Sequence, residues 1–154
     1  MTPMTNLPRD CVISSEVDYP WLEAFESFVY SLLNLLKVPG WELGIRFVSL
    51  SEMRLLNRDF RGKDEPTDVL SFGEADILVN SVPTVLRGDL AICPERVFQQ
   101  ALEFDVTPEE ELKRVTLHGC LHLQGWDHVT NSPEEPMLLL QEKLLPGLNE
   151  VPIL

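Results

Sequence analysis

Three histidines are all that this chain of 154 residues contains, and they fall within eleven positions: His118, His122 and His128, in the stretch HGCLHLQGWDH. His118 and His122 are four residues apart, so on a helix both project from one face. Imidazoles at that spacing can grip a single metal ion. Gly125 would stop such a helix and let the chain turn back, bringing His128 round as a third ligand. Three neutral nitrogens with a fourth position open is the arrangement of catalytic zinc rather than structural zinc. One zinc ion per chain is the expected cofactor, although nickel, copper or iron would also bind three imidazoles.

The pattern H-x-x-x-H-x-x-G-x-x-H has the ligand spacing of the metzincin peptidases, which carry glutamate beside the first ligand as a general base. Here that position is Gly119, which cannot take a proton. A peptidase using that mechanism is therefore not expected. A glutamate introduced at 119 is expected to restore a base beside the metal. Asp127, next to the third ligand, is the nearest carboxylate in sequence. It could help activate water or orient a ligand imidazole from behind, and the second role is preferred. Cys120 lies two residues from each helical histidine, so it points to the opposite face and into the core.

The elements that must hold these residues can be read along the chain. Val12 to Val17 predicts a short strand. Tyr19 to Lys37 predicts a helix stopped by Pro39-Gly40, and Trp41 to Leu50 alternates as a strand. Ser49-Leu-Ser-Glu52 is a capping box opening a helix through Phe60. Gly62 and Pro66 bracket a charged loop before a strand from Asp68 to Phe72. Thr67 and Asp68 are read as capping the turn and opening that strand. Gly73 to Arg87 reads as loop, with Ile77 to Val79 as a possible short strand. Asp89 to Cys93 predicts a strand, with Asp89, after Gly88, as a turn residue. A helix from Pro94 or Glu95 to about Phe104 follows. Thr107-Pro-Glu-Glu110 is a strong helix start, a hydroxyl cap followed by proline and acids at the positive dipole end. That helix runs to about Leu123, and a last one covers roughly Glu134 to Leu145. The sum is one α+β domain over residues 1–154, with about four strands and five helices.

Composition narrows the partners. Hydrophobic content of 44% is a globular value. No apolar run approaches the roughly 20 residues needed to span a bilayer, so no membrane association is expected. The first residues lack the pattern of a signal peptide, and three widely spaced cysteines argue against a disulfide framework. The expected location is the cytoplasm. A net charge of −13 disfavours nonspecific nucleic-acid binding. Yet five bases and two acids lie between Arg46 and Lys63, against seven bases and 23 acids elsewhere. An acidic shell with one basic island can steer an anionic ligand to one place.

Three stretches together resemble a known family. HGCLHLQGWDH looks like the H-G-x-L-H-L-x-G-[YW]-D-H signature of the YbeY family of ribosomal RNA maturation endoribonucleases. LNRDFRGKDEPTDVLSF, from Leu56 to Phe72, resembles that family's second block, and GDLAIC, from Gly88 to Cys93, its G-D-I-x-I strand. The resemblance implies a zincin-like fold with about a four-stranded mixed sheet, and metal ligands at His118, His122 and His128. It also implies a functional arginine at Arg61, in an RNase that prefers single strands and acts in ribosomal RNA maturation and ribosome quality control. Single-stranded RNA, ribosomal RNA precursors and the ribosome or its associated proteins are the implied partners. Arg61 could then hold a phosphate beside the metal, with Arg58 and Lys63 tracking neighbouring phosphates. Two alternatives stand beside this reading: a metal-dependent peptidase or amidase, and a non-enzymatic ribosome-assembly factor whose metal is structural.

Overall fold

A computed structural model describes residues 8–73 and 85–154. Among them, four strands form one mixed sheet: β1 (Arg9–Ser15), β2 (Gly40–Phe47), β3 (Val69–Phe72) and β4 (Val85–Ile92). The spatial order is β1-β2-β4-β3, with β3 antiparallel at one edge and the other three parallel. Five α-helices accompany the sheet: α1 (Leu22–Leu35), α2 (Leu50–Arg61), α3 (Pro94–Glu103), α4 (Pro108–Leu123) and α5 (Pro136–Leu144). A 3-10 turn over Leu145–Leu148 follows. The expected α+β class, four strands and five helices are all present.

The pleat sorts the sheet's side chains into two cores. Leu86, Leu90 and Ile92 on β4 point into the main core with Phe25 and Leu32 of α1, Val97 of α3 and Leu117 of α4. Ala91, one residue out of phase, joins Leu70 of β3 and Met53 of α2 in a smaller cluster. Helix α2 therefore covers the face opposite to α1, α3 and α4.

Local signals set most helix ends. The Ser49 hydroxyl accepts the Glu52 backbone N–H at 3.2 Å, and the Thr107 hydroxyl accepts that of Glu110 at 3.1 Å. Half of the expected capping box is missing, because the Glu52 carboxylate pairs with Arg46 instead of reaching back to Ser49. Helix α1 starts three residues later than expected: Pro20 and Trp21 precede it, with Tyr19 stacked on Trp21 at 4.7 Å. Helix α5 begins at Pro136 rather than Glu134.

Two strands also differ from expectation. β1 starts at Arg9 and ends at Ser15, because its pairing runs from Arg9 opposite Trp41 to Ser15 opposite Phe47. β4 begins at Val85, so Gly88 and Asp89 lie inside a strand and Asp89 is not a turn residue. Pairing with β2 decides this, in unbroken register from Gly40 opposite Val85 to Phe47 opposite Ile92. Glycine at 88 answers to close approach: a Cβ there would lie 2.5 Å from Leu123 Cδ2 and 2.8 Å from the Phe72 carbonyl oxygen. The possible strand at Ile77 to Val79 lies outside the described residues.

Helix α4 is buried along most of its length and packs on β3 and β4. Its contact point is Gly119, where a Cβ would sit 2.8 Å from Leu90 Cδ2 and 3.2 Å from Val69 Cγ2. Ser71 Oγ on β3 donates to the Gly119 carbonyl at 3.0 Å, fixing the same approach. The expectation of a glutamate restored at 119 therefore meets a steric bar, since even its first carbon collides with the sheet. Cys120 is wholly buried, as expected, and burial pushes its thiol up to about 12. Gly119→Ala should lower stability by about 1–3 kcal/mol through overpacking, and Gly119→Glu by more. Chemical denaturation would measure both, and an alanine variant as stable as the parent would refute the close contact.

Candidate metal centre

His118 and His122 stand one turn apart at the end of α4, with Nε2 atoms 3.1 Å from each other. The α4 helix ends at Leu123 with Gln124 as its cap, and Gly125 takes φ +97°, a conformation that favours glycine. The turn swings His128 back beside the other two. One ligand atom from each histidine lies within 4.8 Å of the other two.

Each ring is held by its other nitrogen. His118 Nδ1 contacts Gln141 Oε1 at 2.7 Å, His122 Nδ1 the Trp126 carbonyl at 2.9 Å, and His128 Nδ1 the Thr130 carbonyl at 2.8 Å. The two backbone carbonyl oxygens can only accept, so His122 and His128 carry their protons on Nδ1. The same holds at His118 with the Gln141 amide oriented as described below. All three Nε2 lone pairs then face one another, an arrangement that is repulsive unless a cation lies between them. Two nitrogens about 2.0–2.1 Å from one zinc ion at a tetrahedral angle would be about 3.3 Å apart. The observed 3.1 Å between His118 and His122 fits that edge. Burial, the largest cause in each case, holds the His118 and His122 rings below the usual imidazole range. Neutral imidazole is the ligating form.

Behind the ligands runs a polar network that sequence reasoning missed. Gln141 offers its oxygen to His118 and donates its amide N–H to Glu142 at 3.0 Å. Arg114 grips Glu142 with two N–H groups, each at 3.0 Å, and donates a third to Glu111 at 3.0 Å. Gln100 then bridges Glu111 and Asp68, donating at 3.0 Å to each. Asp68 also accepts the Val69 backbone N–H at 2.7 Å, the strand-opening role expected for it. The sequence carried one trace of this network. Gln141 sits four residues after Met137, a polar side chain on the buried stripe of α5.

The remaining expected site residues divide. Arg61 and Lys63 line the same groove as the three histidines, together with Asp127. Arg58 pairs with Asp59 at 3.1 Å and is not among the groove-lining residues. Arg46 pairs with Glu52, and Arg54 holds Asp64 through two contacts of 2.8 and 3.0 Å. Three of the five bases of the basic island are thus matched. Among the described residues Arg61 and Lys63 form no ion pair. The Asp127 carboxylate accepts the backbone N–H of His128 at 2.8 Å, whereas the three imidazoles take Gln141, Trp126 and Thr130 as partners.

Gln141 is well suited to its place, because its amide accepts from His118 through oxygen and donates to Glu142 through nitrogen. Gln141→Leu should weaken metal binding by about 10- to 100-fold without touching a ligand. Gln141→Glu should not restore it, since two carboxylates would then meet where Glu142 now accepts a hydrogen bond. Competition with a chromogenic chelator, alongside melting curves, measures this; parent affinity in Gln141→Leu would show that the contact is incidental.

The groove and its histidines can be set beside known proteins. The endoribonuclease YbeY family model matches residues 13–149. An endoribonuclease YbeY from Borreliella afzelii is 40% identical over 138 residues, covering 87% of this chain and 91% of that protein. One from Geobacillus thermodenitrificans is 39% identical over 140 residues, covering 86% and 89%. The solution structure of a Thermotoga maritima protein superposes with a TM-score of 0.61 at 31% identity, covering 90% of this chain and 89% of its own. Match length, identity and fold agree, and the chain belongs to the endoribonuclease YbeY family.

Proposed function

We propose that this protein is a metal-dependent endoribonuclease that prefers single-stranded RNA and acts on ribosomal RNA precursors. The observation that carries the reading is the shared groove: three converging imidazole nitrogens line one cavity with two cations that form no ion pair among the described residues. The cavity measures about 1330 Å³, above the roughly 300–1,000 Å³ usual for small-molecule pockets. That size suits a segment of polymer. An acidic protein that binds RNA must confine its attraction to one place, and the groove is where Arg61 and Lys63 lie.

A divalent ion, zinc by the character of the donor set, would be held by His118, His122 and His128 and would supply a Lewis acid. The chain's own residues supply the rest. Arg61 presents a planar guanidinium able to hold two phosphate oxygens and to stabilise charge developing on phosphorus. Lys63 adds a point charge for a neighbouring phosphate. Asp127 lies on the groove wall, where its carboxylate is open to the role of proton acceptor. A peptidase reading lacks support: the position that would hold glutamate is Gly119, packed against Leu90. Ribosomal RNA as substrate and the ribosome as partner follow from the family resemblance; the cytoplasm as location is the reading that the three widely spaced cysteines support.

Arg61→Ala should slow RNA cleavage by about 10² or more at unchanged metal content, as loss of one preorganised donor would. Arg61→Lys should recover little, because an ammonium keeps the charge but loses the two-point contact. Lys63→Ala should mainly weaken RNA binding and flatten its salt dependence. Cleavage of a single-stranded RNA before chelation, after chelation and after zinc is returned tests the metal. Full-rate cleavage by Arg61→Ala would remove the phosphate anchor.

A further inference from the structure

We infer that Phe60 is a stacking platform for one base of single-stranded RNA, placed beside the phosphate-binding end of the groove. The inference rests on the endoribonuclease reading above and assigns a residue to recognition of the base rather than the phosphate.

Phe60 is 65% exposed, whereas Phe25 and Phe28 are completely buried. The exposed ring is nevertheless supported. It meets Phe72 of β3 edge to face, with centroids 4.9 Å apart and planes at 68°. Both rings line the groove that holds the histidines. Phe60 is also the neighbour of Arg61 in the last turn of α2, where Gly62 caps the helix and delivers Lys63. A supported aromatic face beside two cations, neither ion-paired among the described residues, is the pairing that single-stranded nucleic acid calls for, since the cations take phosphate and the ring takes a base. In a duplex the base faces are already stacked, so such a ring favours the single strand.

A second phenylalanine provides an internal contrast. Phe104, at the end of α3, is 64% exposed and lines the same groove. Its neighbours in sequence are Glu103 and Asp105, and the nearby wall carries Glu111. Glu103 pairs with Arg96 and Glu111 with Arg114, so the described residues around Phe104 offer phosphate no unmatched cation. Exposure is matched between the two rings and charge is not, so the platform is assigned to Phe60 alone.

The test measures binding of a labelled ten-nucleotide single-stranded RNA, and of a duplex of the same sequence, to the chelator-treated full chain. Cleavage is measured with the zinc-loaded chain. Phe60→Ala should weaken single-strand binding about 5- to 150-fold, the span reported by alanine substitution of base-stacking aromatics. Duplex binding, zinc content and melting midpoint should stay close to the parent. Phe60→Tyr should retain binding, and Phe60→Leu, apolar but not planar, should fail to rescue it. An abasic site walked along the strand should, at one position, abolish the difference between parent and Phe60→Ala. Phe104→Ala should leave RNA binding nearly unchanged. Parent-like binding by Phe60→Ala or Phe60→Leu overturns the platform, as does an equal loss from Phe104→Ala. If the zinc-loaded parent cleaves no RNA, the endoribonuclease reading itself fails; if it cleaves and Phe60→Ala behaves like the parent, only the platform fails.

Discussion

Helix α4 can lie against β3 and β4 only because Gly119 has no side chain, and the site depends on that contact. The helix rests on Leu90 and Val69 through Gly119, while the Ser71 hydroxyl holds the Gly119 carbonyl from β3. One face of the helix is thereby pressed onto the sheet, and the face bearing His118 and His122 opens into the groove. The edge strand that touches Gly119 also carries Phe72, and the loop before it carries Lys63. Packing at one glycine thus fixes the distance between the metal ligands and the basic side of the groove. A larger residue would move both.

The imidazoles are held from behind by three acceptors of different origin. Two are backbone carbonyls from the turn that follows α4, so the chain that positions His128 also orients His122. The third, Gln141, comes from α5 and is held by Glu142, which Arg114 grips in turn. Burial weighs against the Arg114 charge, but the hydrogen bonds it donates to Glu142 and Glu111 more than offset it and raise the group further above the usual range. A partly buried ion-pair network of this kind, open to solvent at Glu142, adds little net stability. Its contribution is orientation, because each side chain from Gln141 through Glu142, Arg114, Glu111 and Gln100 to Asp68 is hydrogen-bonded to the next. The network links α3, α4 and α5 to the mouth of β3 through Asp68, and so couples both walls of the groove.

Electrostatics explains how an acidic chain can present a site for a polyanion. Three bases of the island near α2 are satisfied locally by Glu52, Asp64 and Asp59. That leaves the attraction to Arg61 and Lys63 at the groove. The surrounding acids discourage RNA from settling elsewhere on the surface. Charge thus marks out the place where the three histidines converge.

The sequence by itself determined the cluster of three histidines, the helix that carries two of them and the glycine turn that closes it, because these depend on spacing along one helix and on local backbone freedom. Caps at Ser49 and Thr107, the number of elements and the α+β class were legible for the same reason: each is a short-range signal. Tertiary structure alone decided the rest. Strand register placed Gly88 and Asp89 inside β4, since pairing with β2 outweighs their turn preference. Ion pairing separated Arg58 from Arg61 and Lys63, which no count of charges could do. Gln141, 23 residues from His118 in sequence, became its partner only when α5 packed against α4. Gly119 reads in sequence as a missing base; in the fold it is the point where helix and sheet touch, a long-range contact that local spacing does not encode.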